Sequence, residues 1–480
     1  REHDRRFFKR AVRADVTVLS SIPLGEDELP GNKKLAEELS HLGEIGSLLN
    51  PSEDEIDELK AAAASCSDDL FAATAKTKLE SAAAICEKLS RRFTCTVANP
   101  PYMGSSSFNP FMSKWVKKNY SDVKSDLCTC FIERGFSLAK DRGYAAMVTM
   151  QSWMFLGSFE KIRAKVIDNK TIVSMAHLGP RAFDAIGGEV VNVTADVIYN
   201  GRAAYEGDYV RLVDINGSEA KRLKLVEAIQ NPACGWFYRR DADTFKQIPG
   251  TPIAYWMSEG LFDAYENGGR LGDVVDARVG MISGDNNRFL RMWFEPSSEK
   301  IGFGGSYFSP ACKKWNPIQK GGEYRLWYGN LDYVINWEND GWELKEDNYD
   351  GSRVRSHNYN GEMAFRCGIT WNSITSGRFQ CRYSDEGFLF DAAGPLCYVN
   401  DHAMIPYVLG LMSSSVFVET MGIVNPTLNF PPNYIEETPF IFESDYQGAV
   451  DKAVSVCVKV EKSDWDSFET SWDFKRNPLV

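Results

Sequence analysis

Between residues 90 and 200, short apolar runs alternate with amphipathic stretches, and this alternation restricts the fold more than any other feature of the chain. Phe93 to Ala98 is a short β-rich run that ends at a turn. Ser125 to Lys140 places apolar residues at Leu127, Phe131, Phe136 and Leu138 and closes at Gly143, as one helical face would. Tyr144 to Thr149 reads as a buried strand, Gly157 to Asp168 as a helix, and Thr171 to Leu178 as a strand. Val190 to Tyr199 alternates apolar and polar positions, the period of a further strand. Strands separated by helices predict a parallel α/β sheet. The last strand comes directly after its predecessor, which predicts an antiparallel hairpin at the sheet edge.

The flanking regions are of other kinds. Residues 1–90 read as a helical segment, with Ala61 to Ala64 and Ala82 to Ala84 among strong helix formers. Residues 91–200 form the α/β region, and 201–245 read as a connector. Residues 246–440, rich in Gly, Trp, Tyr and Asn, predict an irregular α+β domain of short strands and turns, and 441–480 return to helix. The chain opens on Arg1-Glu2-His3-Asp4 without an apolar signal region, which predicts a piece cut from a longer protein. Eleven cysteines without a Cys-x-x-Cys pair predict reduced thiols in the cytoplasm. Five histidines without metal spacing predict no metal, and no apolar run reaches the length of a membrane span. A net charge of −12 speaks against wholesale wrapping by nucleic acid, but a locally basic groove is compatible with it.

The residues that carry chemistry are Asn99-Pro100-Pro101-Tyr102, directly after the first strand of the α/β region. Open α/β sheets bind ligands at the carboxyl ends of their strands. The Asn99 side-chain oxygen and the Pro100 carbonyl can each accept one N–H of a planar amino group such as N6 of adenine. That leaves the nitrogen lone pair aimed at an incoming methyl group. Pro100 and Pro101 stiffen the turn, and the Tyr102 ring can stack on a base turned out of a duplex. Asn429-Phe430-Pro431-Pro432-Asn433-Tyr434 has similar letters but lies in the turn-rich region without a strand before it. The Pro-Cys pair of covalent cytosine methylation, a Gly-x-Ser-x-Gly elbow and a phosphate-binding loop do not occur.

These residues and their neighbours resemble the PglX family, the adenine-specific DNA methyltransferases of BREX phage-defence systems, and the related type IIG restriction-modification enzymes. The resemblance runs through Val97 to Gly104, Lys124 to Leu127, Phe131 to Gly135 and Met150 to Phe155. It continues through Ser283 to Asn286, Lys320 to Gly322, Arg325 to Asn330, Gly368 to Trp371 and Asn425 to Phe430. It implies a partial Rossmann-like class I methyltransferase sheet followed by an α+β target-recognition domain. It also implies Asn99, Pro100, Pro101 and Tyr102 as catalytic residues, S-adenosyl-L-methionine as methyl donor, double-stranded DNA as substrate, and other defence proteins as partners. The family's cofactor loop and ribose-binding acid have no match here, and Arg5 to Arg10 resembles the family's stretch just after that acid. The expectation is a chain that starts after the cofactor half, ends before the family does, and is inactive by itself.

Two basic stretches are the candidate DNA contacts. Lys313, Lys314, Lys320 and Arg325 face only Glu323 within residues 311–330, and Arg353, Arg355, Arg366, Arg378 and Arg382 face only Glu362 within 351–382. Of these, Lys313, Lys314, Lys320, Arg325, Arg353, Arg355, Arg378 and Arg382 are expected to meet phosphates or base edges, with Trp315, Trp327, Tyr328 and Trp371 interleaved. Lys114, Lys117 and Lys118 come after the catalytic turn and fit either phosphate contact or a plain solvated face. Two other functions remain open on the sequence: a methyltransferase of protein or RNA, and a DNA-recognition module without catalysis.

Overall fold

The computed structural model describes residues 14–25, 27–67, 70–183, 191–310, 313–346, 354–375, 377–425, 427–477 and 479. They fall into two units, Arg1–Thr244 and Phe245–Val480. The first unit opens with α1 (Lys33–Ser40), α2 (Leu42–Ile45), α3 (Glu53–Ala64) and α4 (Leu70–Ser90). α3 starts on a reciprocal cap: Glu55 N–H donates to Ser52 Oγ at 3.2 Å, and Ser52 N–H donates to the Glu55 carboxylate at 2.9 Å.

A six-stranded sheet comes next. Its elements are β1 (Phe93–Ala98), α5 (Pro110–Asn119), α6 (Leu127–Leu138), β2 (Ala139–Met150), α7 (Glu160–Asn169), β3 (Thr171–Gly179), β4 (Val193–Tyr199), β5 (Gly207–Arg211), α8 (Ser218–Gln230) and β6 (Phe237–Arg240). The order across the sheet is β1-β2-β4-β3-β5-β6. β1 pairs parallel with β2 and β3 parallel with β5, while β4 is antiparallel to both its neighbours and β6 to β5.

Two expectations are corrected here. The sheet is mixed, and the hairpin strand β4 lies inside it, between β2 and β3. The reason is geometric. The α7 crossover leaves a gap one strand wide between β2 and β3, and β4 turns back into that gap. There it satisfies the backbone groups of both, from Tyr144↔Tyr199 to Met150↔Val193 on one side and from Thr171↔Tyr199 to Gly179↔Val193 on the other. The stretch 201–245 is not a connector: it supplies β5, α8 and β6. What holds α8 is the buried ammonium of Lys221, which donates to the Leu212 carbonyl at 2.7 Å and to that of Leu178.

Arg134 on α6 ties that helix to the N-terminal helical region. It is 1% exposed and donates to the carbonyls of Ser47 (2.8 Å), Leu49 (2.8 Å) and Leu89 (2.6 Å), and also to Asn50 and Ser137. Its partners among these are neutral, and burial holds its pKa below the usual range.

The second unit contains two four-stranded sheets. One has the order β14-β10-β11-β9 and the other β13-β12-β15-β8. Their strands are β8 (Val275–Arg278), β9 (Leu290–Met292), β10 (Trp315–Gln319), β11 (Tyr333–Asn336), β12 (Gly368–Trp371), β13 (Cys381–Ser384), β14 (Leu389–Phe390) and β15 (Leu396–Val399). A two-stranded ribbon pairs β7 (Gly269–Arg270) with β16 (Pro439–Phe440). The helices include α9 (Glu259–Asn267), α10 (Asn286–Phe289), α11 (Glu338–Glu346), α12 (Ile405–Met412), α13 (Ser415–Val424), α14 (Pro432–Glu436) and α15 (Ser444–Trp465). One core packs Phe289, Leu290, Ile318, Ile335, Trp337, Phe365 and Leu389. Gly321 lies just past β10 at φ +77°, and a Cβ there would come within 2.8 Å of the Ala393 carbonyl oxygen, so the turn excludes a side chain on two counts. Among the described residues no single helix is long and apolar enough to cross a membrane.

Candidate active site

Asn99 is the first residue after β1, at its carboxyl end. Pro100 is buried, Asn99 and Pro101 are exposed, and Tyr102 is half-buried. The Tyr102 hydroxyl lies 3.2 Å from Asn99 Oδ1 and 3.3 Å from the Val148 carbonyl oxygen on β2. A phenol has one proton for these two acceptors, so the bond to Asn99 exchanges with the bond to Val148. Burial, helped by nearby Cys128, pushes the Tyr102 phenol up to about 12, and the hydroxyl stays protonated as a donor. Asn99 Oδ1 is therefore presented as an acceptor before any substrate arrives.

The turn is fixed from both sides. Leu127 N–H donates to the Met103 carbonyl at 2.9 Å and Ser105 N–H to the Ser125 carbonyl at 2.9 Å, which laces the loop to the start of α6. Asp126 caps α6 through the Cys128 N–H at 2.9 Å. Beyond the loop, Asn109 caps α5 and donates to Glu44 at 2.6 Å. Trp115 Nε1 on α5 donates to the buried carboxylate of Glu38 on α1 at 2.8 Å. α5 also carries Lys114, Lys117 and Lys118, all exposed and without an ion pair among the described residues.

Gln151 and His177 form a polar pair that the sequence did not single out. Gln151 is the residue immediately after β2, and its Oε1 is 2.7 Å from Nε2 of His177 on β3. Twenty-six residues separate them, and only the sheet order brings them together.

In the second unit the expected DNA contacts divide. Lys313, Arg355 and Arg378 are exposed. Lys314 is paired with Glu338 at 2.9 Å, and Lys320 with the buried Asp391 at 2.8 Å. Arg325 pairs with Asp464 at 3.2 Å and lies over the Trp465 ring, 4.9 Å from its centroid. Arg382 is corrected. It is 0% exposed, donates to Asn372 Oδ1 at 2.9 Å and reaches toward the Arg325 carbonyl, so its guanidinium holds the β13 region together and cannot touch DNA. Arg353 lies outside the described residues. Trp371 is fully buried and Tyr328 nearly so, which makes them core residues; Trp315 and Trp327 are half-buried.

Residues 33–183 match the Eco57I restriction-modification methylase family. The chain is similar to two adenine-specific methyltransferases. It is 40% identical over 397 residues to the adenine-specific methyltransferase PglX of Lacticaseibacillus casei (strain Zhang), covering 82% of this chain and 33% of that protein. It is 39% identical over 399 residues to the adenine-specific methyltransferase BrxX of Escherichia coli O9:H4 (strain HS), covering 82% of this chain and 31% of that protein. The chain thus spans about a third of the length of the relatives it matches. Among solved structures, the Type IIL restriction-modification enzyme MmeI in complex with DNA shares the fold at a TM-score of 0.51 and 12% identity, over 80% of this chain and 51% of that one.

Proposed function

We propose that this chain carries the target-base half of a DNA adenine-N6 methyltransferase of phage defence or restriction-modification. The observation that supports this most directly is the Asn-Pro-Pro-Tyr turn at the carboxyl end of β1, with Asn99 Oδ1 already held by a neighbouring hydroxyl. When an adenine enters, Asn99 Oδ1 and the Pro100 carbonyl accept its two amino hydrogens. Tyr102 gives up its bond to Asn99, keeps the one to Val148, and offers its ring face to the base. The amino nitrogen then develops tetrahedral character, and its surplus proton leaves to solvent. The names of the two relatives, both adenine-specific methyltransferases, support the same reading.

On this reading, β1-β2-β4-β3 is the second half of a class I methyltransferase sheet. S-adenosylmethionine supplies the methyl group when bound. The β1–α5 junction carries the Asn-Pro-Pro-Tyr turn and not a glycine-rich loop. No residue of this chain is assigned to the cofactor. Duplex DNA is the partner, with Lys114, Lys117, Lys118, Lys313, Arg355 and Arg378 as phosphate contacts and the cytoplasm as the compartment. Lys314, Lys320 and Arg325 are engaged by carboxylates.

The test gives the intact protein labelled S-adenosylmethionine with duplex DNA, RNA or protein as acceptor. Adenine in the duplex should be labelled. Asn99→Ala should lose on the order of a hundredfold in rate, because its oxygen acts mainly in the transition state, while a gel shift shows unchanged duplex binding. Labelling of RNA or protein in place of duplex, or an Asn99→Ala variant at full rate, would refute the proposal.

A further inference from the structure

The two parallel strands β1 and β2 do not end level. Ala98 pairs with Met147, so β2 runs on through Val148, Thr149 and Met150 as a wall beside the Asn-Pro-Pro-Tyr turn, and the Tyr102 hydroxyl reaches that wall at the Val148 carbonyl. Gln151 stands at the top of it. At 3.3 Å per residue, Gln151 lies roughly 10 Å further along than the level of Asn99. Gln151 is held in place twice. Its N–H donates to the Asn192 carbonyl at 2.9 Å, and its side-chain Oε1 is 2.7 Å from His177 Nε2.

That second contact fixes which way the amide faces. An amide oxygen only accepts, so His177 must donate from Nε2. His177 is 3% exposed, and burial, with Arg211 and Lys221 nearby, holds its pKa down to about 3, so the ring stays neutral. With Oε1 taken, Gln151 has its amide N–H groups left to offer. They have no hydrogen-bond partner among the described residues, and the nitrogen is not sealed from solvent.

We infer that Gln151 is a specificity-determining residue, donating from its amide to a ring nitrogen of the target purine while Asn99 and Pro100 accept from its amino group, with His177 positioning the Gln151 amide. This rests on the methyltransferase reading above. The chemistry is complementary to adenine: an amino group to donate and, next to it, N1 or N7 to accept. Guanine presents a carbonyl oxygen where adenine has the amino group, so the acceptor pair would repel it.

The experiment uses the intact protein, S-adenosylmethionine and duplexes whose target adenine is replaced by 1-deazaadenine or 7-deazaadenine. Wild-type kcat/KM should fall on one of the two analogues by about ten- to a hundredfold, the usual worth of one base-edge contact. Gln151→Leu should lose a similar factor on adenine and nothing further on that same analogue. His177→Phe should shrink the adenine-to-analogue ratio toward that of Gln151→Leu. The ratio of rates on two substrates cancels any loss of folded protein, so a merely structural role would leave it unchanged. Equal losses by Gln151→Leu on adenine and on both analogues would overturn the inference, as would full activity of the variant, and either result leaves the methyltransferase reading standing. A wild-type protein that does not methylate adenine at all overturns both.

Discussion

Asp196→Asn is expected to stabilise the first unit by an amount that grows with pH. Asp196 lies on β4 at the centre of the sheet, between its register partners Met147 and Met175, and is 3% exposed. Its Oδ2 has no hydrogen-bond partner among the described residues. Burial alone raises its pKa from 3.8 to about 8. Between those two values the folded state keeps a proton that the unfolded chain releases, so folding stability falls as pH rises, by about 1.4 kcal/mol per unit. Below pH 4 the full contribution is present, and above pH 8 it is gone. At pH 7 the three units passed amount to about 4 kcal/mol against folding. Asparagine has the same shape and no proton to hold. Its second N–H adds a cost of its own, but that cost does not vary with pH, so the slope is the readout. Urea denaturation of wild type and variant at pH 5, 7 and 9, followed by circular dichroism, should show the gap widening by about 3 kcal/mol between pH 5 and 7 and levelling off beyond 8. A gap that stays constant from pH 5 to 9 would mean Asp196 is ionised in the folded protein and that the burial argument is wrong.

The contacts at Tyr102 and Arg134 carry further expectations. Tyr102→Phe keeps the ring and removes the competitor for Asn99 Oδ1, so base capture, read by the fluorescence of 2-aminopurine at the target position, should be retained or improved. Tyr102→Ala should weaken capture by roughly 1–3 kcal/mol, the worth of a stacked base; equal losses in both variants would show that the hydroxyl matters more than the ring. Arg134→Ala strands the Ser47, Leu49 and Leu89 carbonyls in the interior and should cost about 3–5 kcal/mol, measured as a fall in the denaturation midpoint. A loss below 1 kcal/mol would show that water replaces the guanidinium.

What could be read from the letters depended on how each element is buried. Phe93 to Ala98 is bounded by charge before and prolines after, and it ends in the structure where the pattern ends. Tyr144 to Thr149 is only the apolar centre of a longer strand, because Ala139 to Gly143 carries Lys140, Asp141 and Arg142. β5 and β6 are short and charged at their ends, and α8 buries Lys221 and Ala228 in place of an apolar stripe, so no periodicity announces them. Arginines show the same limit from the other side. Arg378 and Arg382 are four positions apart and look alike in sequence, yet one is exposed and the other sealed in the core beside Asn372. The Asn-Pro-Pro-Tyr turn was legible because its residues are contiguous. The Gln151–His177 pair was not, because the sheet order creates it.

The insertion of β4 also sets the order in which the sheet can form. β2 and β3 are complete by residue 179 but do not touch edge to edge, and each keeps an unpaired side until the chain has been made as far as Tyr199. During synthesis β3 gains β4 as a local hairpin partner, but the open edge of β2 has none. Pairing must wait for a strand that bonds to a partner more than forty residues back in sequence, from Met150↔Val193 onward. Closing that loop is slow compared with helix formation. The interval before β4 arrives is when this chain is most exposed to mispairing, and α7 will have folded first.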